Sequence, residues 1–172
     1  TSAANVRGRS YKIIADVDIT DHASGVIFAH GSRFGGHALF IKNQKLYYVY
    51  NFLGIKPEQK FASPQPLKPG KHSLGVEFVR EKAGKYGESL GKARLYVDDK
   101  VVTEGPMRTQ SGHFTLCGDG LCIGFDSADK VSEEYESPGR FSGGRILGVG
   151  VDVGKDAYLD LERLAAAALA RD

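Results

Sequence analysis

Apolar and polar positions alternate along two stretches within residues 34–54, FGGHALFIKNQKLYYVYNFLG, with a short polar break between them. Leu39 and Ile41 alternate with Phe40 and Lys42, and Leu46, Tyr48, Tyr50 and Phe52 alternate with Tyr47, Val49 and Asn51. A period of two sends successive side chains to opposite faces of a strand, so the segment predicts a β-hairpin turning near Asn43-Gln44. Leu46, Tyr48, Tyr50 and Phe52 then line a buried face, while Phe40 and Tyr47 lie on the outward side. The same period runs through residues 11–19, where Tyr11, Ile13, Ala15, Val17 and Ile19 alternate with Lys12, Asp16 and Asp18, and only Ile14 breaks the pattern.

Further strands are predicted at residues 25–30, 71–80, 92–97, 100–104, 113–117, 121–125 and 145–153. Strands this closely spaced, among 22 glycines and with almost no helical period, imply a two-sheet antiparallel sandwich. Asp98-Asp99 supports a second tight hairpin, because Asp tolerates positive φ. Residues 52–71 hold Pro57, Pro64, Pro66 and Pro69, each of which removes a backbone donor, and read as a crossing loop. Residues 81–91 read as a second loop and residues 127–144 as a third.

The ends differ in character. Residues 1–9 read as the remnant of a linker, residues 10–158 as the sandwich domain, and residues 159–172 as a C-terminal helix carrying Leu161, Leu164, Ala165, Ala168 and Leu169 at helical spacing. A helix of about three turns is marginal alone in water, so its apolar stripe is expected to pack on the sandwich or on a neighbouring domain. Leu161 and Leu164, with Phe40 and Tyr47, are therefore the interface candidates.

In 172 residues, 23 Lys and Arg stand against 21 Asp and Glu. A net charge of +2 gives no general attraction to nucleic acid or to an anionic membrane, and neither is expected as a partner. No apolar run approaches the roughly 20 residues of a membrane span, and the first ten residues lack the apolar centre of a signal peptide. Cys117 and Cys122 flank Gly118-Asp119-Gly120, a spacing that allows a cross-hairpin disulfide, whereas the missing secretory signal favours reduced thiols and, slightly, a cytoplasmic setting.

The segments GVIFAHGSRFGG, YVYNFLG, PLKPGKHSLGVEF, ARLYVDDKVV, GLCIGFDS and FSGGRI, in this order, resemble the C-terminal β-sandwich domain of bacterial, actinobacterial-type arylsulfatases. The resemblance covers nearly the whole chain and leads to the assignment of a concanavalin A-like jelly-roll sandwich. It implies a non-catalytic accessory domain whose partner is a sulfatase catalytic domain of the same polypeptide. That partner would hydrolyse sulfate esters with formylglycine and calcium, whereas no cofactor is expected in this chain.

The chain's own residues carry no complete catalytic motif. A formylglycine signature needs a Cys or Ser followed by Pro at the second position and Arg at the fourth. Cys117 has Asp119 at the second position and Cys122 has Gly124. The five histidines are dispersed. Asp16 and Asp18 have the spacing of a glycosidase carboxylate pair, but the same alternation produces a solvated strand face. The acidic loop with Asp126, Asp129 and Glu133 is the best remaining candidate for a bound calcium, although Lys130 sits among them and no fixed calcium-loop spacing is met. A carbohydrate-binding module is the alternative function; it needs an exposed aromatic platform or a bound calcium on a concave face, and the chain has no tryptophan.

Overall fold

The computed structural model describes residues 9–110, 121–126 and 129–153. The strands are β1 Tyr11–Ser32, β2 Gly35–Lys42, β3 Lys45–Asn51, β4 Gln59–Ala62, β5 Gly70–Ala83, β6 Ser89–Val97, β7 Lys100–Thr109, β8 Leu121–Ile123 and β9 Ser142–Val153. All pairings between them are antiparallel. The first half of β1 pairs with β5 and β9, and β5 leads on through β6 to β7. Its second half pairs with β2 and β8, and β2 leads on through β3 to β4. Two sheets therefore share one long strand.

The alternation expected two strands where β1 is continuous. Gly25, at φ 106°, lets the chain turn out of one sheet and into the other without ending the strand. A Cβ at this position would meet the backbone oxygen of Arg140 at 2.4 Å, so glycine is also required by close approach. The far edges meet through side chains. Gln59 of β4 donates to the Arg108 carbonyl of β7 at 2.8 Å and accepts from the Arg108 N–H at 2.8 Å, and Thr103 Oγ1 donates to the Ala62 carbonyl at 2.6 Å.

Both predicted hairpin turns are present. Asn43 and Gln44 have φ of 53° and 62°, and Asp98 and Asp99 have 51° and 66°, the paired positive values of a two-residue turn whose twist matches its strands. The expected crossing loop 52–71 instead contains β4, because Pro57 and Pro64 leave the proline-free window Gln59–Ala62 between them. The loop expected at 81–91 is shorter, since β5 runs to Ala83 and β6 starts at Ser89. The predicted strand 113–117, the thiol state of Cys117 and the C-terminal helix with Leu161 and Leu164 lie outside the described residues.

The inter-sheet core holds Ile13, Leu39, Leu46, Tyr48, Tyr50, Leu74, Phe78 and Leu95, all at most 1% exposed. Leu46, Tyr48 and Tyr50 face it as the period of two predicted. The opposite face of β2 and β3 is not solvent-facing. Val26, Ala29, Ala38, Phe40, Val49, Cys122 and Val131 form a second buried cluster there. Phe40, expected outward, is 1% exposed, and half-buried Tyr47 stacks on it with centroids 5.3 Å apart and planes at 4°.

Candidate functional site

What covers Phe40 is a strap formed by residues 124–126 and 129–141. Backbone bonds lash its ends to β1 and to one another: Gly124 N donates to the Ile27 carbonyl at 2.9 Å, Val26 N to Gly139 at 2.7 Å and Phe141 N to Gly124 at 2.9 Å. Inside the strap, buried Asp126 accepts from Val131 N at 2.8 Å and from the Tyr135 hydroxyl. Tyr135 in turn sets its ring edge against Phe40. Burial, and then the bond to Asp126, pushes the Tyr135 phenol well above its ordinary range, so it remains a proton donor.

The strap's outer side is fastened by charge. Glu134 takes Lys60 at 2.7 Å and Lys42 at 3.0 Å, and these two lysines hold its carboxyl below the usual range. Glu58 accepts from Ser132 Oγ at 2.7 Å and from Glu133 N at 3.0 Å, while Lys56 lies 3.2 Å from both Glu58 and Glu133. Asn51 ties the end of β3 to two loops at once: its amide donates to the carbonyls of Arg33 and Val131 at 2.9 Å each, and its oxygen accepts from Gly54 N at 2.9 Å.

The three carboxylates proposed for calcium are thus separated by their roles. Asp126 points inward to Val131 and Tyr135, Asp129 pairs with Arg33 at 3.4 Å, and Glu133 pairs with Lys56. Among the described residues no group of three metal-ligating side chains converges. Asp126→Ala is expected to cost about 2–3 kcal/mol, because it orphans the buried Val131 N–H and the half-buried Tyr135 hydroxyl. Adding calcium or a chelator should leave the melting temperature of the native chain unchanged, and a calcium-dependent rise would return these carboxylates to the metal reading.

Arg33, Asn51, Lys56, Glu58, Asp129 and Ser132 line a cleft of about 410 Å³ at this end of the sandwich. Beside it stand three exposed apolar side chains on two touching turns: Phe34 at 58%, Leu53 at 37% and Ile55 at 47%. The turns meet where Gly54 faces the Arg33 carbonyl; a Cβ there would lie 3.2 Å from that oxygen and 3.7 Å from Phe34 Cα. Arg33 lies over the Phe34 ring at 4.9 Å. Leu53 is held at φ 54°, a left-handed conformation that costs a residue with a Cβ about 1–2 kcal/mol.

These three residues were missed by period-two reading, which examines strands and passes over turns. The available signal was composition: Phe34, Leu53 and Ile55 occupy turn positions where polar residues normally stand.

No protein-family model and no curated protein sequence matches the chain. Solved structures do. Domains LG4-5 of the mouse laminin α1 chain align over 90% of this chain and 39% of their own, at 15% identity and a TM-score of 0.55. The LG1-3 region of the laminin α2 chain aligns over 91% of this chain and 33% of its own, at 11% identity and a TM-score of 0.50. The fold is a concanavalin-like jelly-roll sandwich. At these identities the likeness carries the fold alone, and this chain spans well under half the length of either neighbour.

Proposed function

We propose that the chain is a non-catalytic accessory domain of an arylsulfatase-like enzyme, and that it docks on the sulfatase domain through the loop end formed by Phe34, Leu53 and Ile55. The observation that carries the reading is this apolar trio. Large apolar side chains on adjacent turns, one of them in a strained backbone conformation, are costly in water and are retained where a partner covers them. Interfaces between domains of one chain typically bury about 600–1,500 Å², which a loop end flanked by Arg33, Lys56 and Arg108 can supply with a polar rim. The identity of the partner rests on the ordered sequence segments that resemble the arylsulfatase C-terminal domain. The chemistry of sulfate-ester hydrolysis, with formylglycine and calcium, belongs in this reading to that partner.

Two results test it. The polypeptide preceding Thr1 is expected to contain a Cys or Ser followed by Pro and Arg in the sulfatase spacing, and the isolated chain is expected to show no turnover of a chromogenic aryl sulfate. In the full polypeptide, Phe34→Ser with Ile55→Ser should loosen the two domains, giving separate melting transitions, while the same pair leaves the isolated domain's melt within about 1 °C. A polypeptide with no sulfatase signature, or a pair of substitutions without effect on domain coupling, would overturn the assignment.

The second reading, a carbohydrate-binding module, is favoured by one feature: the polar cleft opens beside an exposed aromatic ring, Phe34. Sugar sites combine such a ring with convergent polar groups. Here Arg33, Lys56 and Lys130 are each already matched with a carboxylate, which leaves fewer groups to recognise hydroxyls. Glycan-array binding that disappears on Phe34→Ser would select this second reading.

A further inference from the structure

Of the strands that border the two sheets, β9 differs from the rest. It pairs with β1, and with no other strand among the described residues. β4 and β8 are short, with four and three residues, while β7 carries Pro106 and is stitched to β4 through Gln59 and Thr103. β9 has 12 residues, no proline, and charges at Arg145 and Asp152 alone. Edges of soluble sheets are normally short, charged or broken by proline, because a long edge offers its amides and carbonyls to another strand.

The register against β1 fixes which way each β9 side chain points. Ile146, Val149, Val151 and Val153 stand opposite Val17, Ala15, Ile13 and Tyr11 and pack on the inter-sheet core. Arg145, Gly148, Gly150 and Asp152 stand opposite Asp18, Asp16, Ile14 and Lys12 on the outer face. Leu147 is the extra residue of a bulge, since Gly148 pairs with Asp16 and Ile146 with Val17, and it is 51% exposed. Leu147 and Gly148 therefore share the outer face.

Two copies related by a two-fold axis normal to the sheet bring this edge to itself, antiparallel and with like faces continuous. Opposed residues must share a face, and the bulge singles out one register. With Val149 opposite its own copy, Leu147 and Gly148 together face Gly150 of the second copy, Ile146 faces Val151, and Arg145 faces Asp152. Glycine at 150 leaves room for the two bulge residues. On the outer face the charges then alternate across the joined sheets in the order Lys12, Asp152, Arg145, Asp18, with Arg145 already 3.7 Å from Asp18 in its own copy. An axis centred on any other residue of the strand puts Arg145 and Asp152 out of register.

We propose that β9 is a dimerisation edge: a second copy of this chain lays its own β9 antiparallel to this one, centred on Val149 and fixed by two Arg145–Asp152 contacts. Main-chain hydrogen bonds hold the two edges together, and the charges select partner and register. The surface is separate from the loop end of Phe34, Leu53 and Ile55, so it stands whether or not that end docks on a sulfatase domain.

Sedimentation equilibrium of the 172-residue chain tests it. A monomer–dimer equilibrium is expected between about 1 µM and 1 mM. Arg145→Glu and Asp152→Arg each set like charges against one another at both ends of the pair, and each should weaken dimerisation by at least about tenfold. The double variant should dimerise like the native chain. Mixing the two single variants should yield a mixed dimer although neither pairs with itself, because each copy then meets the opposite charge at both ends. Both side chains are exposed, so the monomers' melting temperatures should stay within about 2 °C of native, which separates lost pairing from lost fold. A chain that stays monomeric throughout, its β9 edge then belonging to another segment or partner, overturns the proposal. So does a dimer that either single substitution leaves intact, or one that the double variant and the mixture fail to restore.

Discussion

Tyr50→Ala is expected to lower the unfolding free energy by about 4 kcal/mol, enough to bring the melting temperature down by roughly 10 °C. Three losses combine at this residue. Its ring is 1% exposed in the inter-sheet core, its contact with His37 disappears, and the backbone N–H of Gln110 loses its acceptor. The cavity term dominates, because the two sheets meeting at the His37 end cannot close over a missing ring. Tyr50→Phe keeps the ring and should cost only about 1–2 kcal/mol. Tyr47→Ala, on the opposite face and half-buried, should cost about 1 kcal/mol, mainly through its stacking on Phe40. Denaturant melts of the three variants check the order. Equal losses for Tyr47→Ala and Tyr50→Ala would mean that the core face has been misassigned.

Mild acid is expected to weaken the fold well before its carboxylates titrate, because of His37. Burial, with a smaller contribution from neighbouring His30, pushes its pKa from the ordinary 6.5 down to about 3. The sign follows from linkage. Above pH 6.5 the ring is neutral in both the folded and unfolded chain and contributes no pH dependence. As the pH falls from 6.5 toward 3 the unfolded chain takes a proton that the folded chain refuses, so stability is lost at about 1.4 kcal/mol per pH unit at most. Among the described residues the groups facing the ring offer no counter-charge: Tyr11 and Tyr48 are held as neutral phenols by their own burial, and His30 is of the same charge type. His37→Gln keeps an acceptor for Tyr48 and cannot titrate. The stability difference between native chain and variant should therefore shift by about 2 kcal/mol, in the variant's favour, between pH 7 and pH 5. A constant difference would show that the folded chain accommodates the protonated ring.

The hairpins were legible in the sequence because their causes are local. Asn43-Gln44 and Asp98-Asp99 tolerate positive φ, and a strict period of two cannot be shifted by one residue without exchanging core for solvent. Tyr48 and Tyr50 were placed on the core face for the same reason. The fate of the opposite face was not legible, because the period says that Phe40 and Tyr47 point away from the first core but not what lies beyond them. That is decided by a strap some ninety residues later, held by Asp126, Asn51 and the Lys42–Glu134–Lys60 contacts, none of which leaves a periodic signal. Continuity of β1 was hidden by Gly25, which punctuates most sequences as a turn but here bends a strand between sheets. The loop end was missed because its informative residues, Phe34, Leu53 and Ile55, are apolar exceptions at turns.

Docking through this loop end is tested most directly by hydrogen–deuterium exchange on the isolated domain and on the full polypeptide that contains it. Protection in the full polypeptide is expected to concentrate in residues 33–34 and 53–56, by at least about tenfold in exchange rate, with the hairpin turns at Asn43-Gln44 and Asp98-Asp99 unchanged. Equal exchange of residues 33–34 and 53–56 in the two forms, or protection that appears only on adding a glycan, would contradict it.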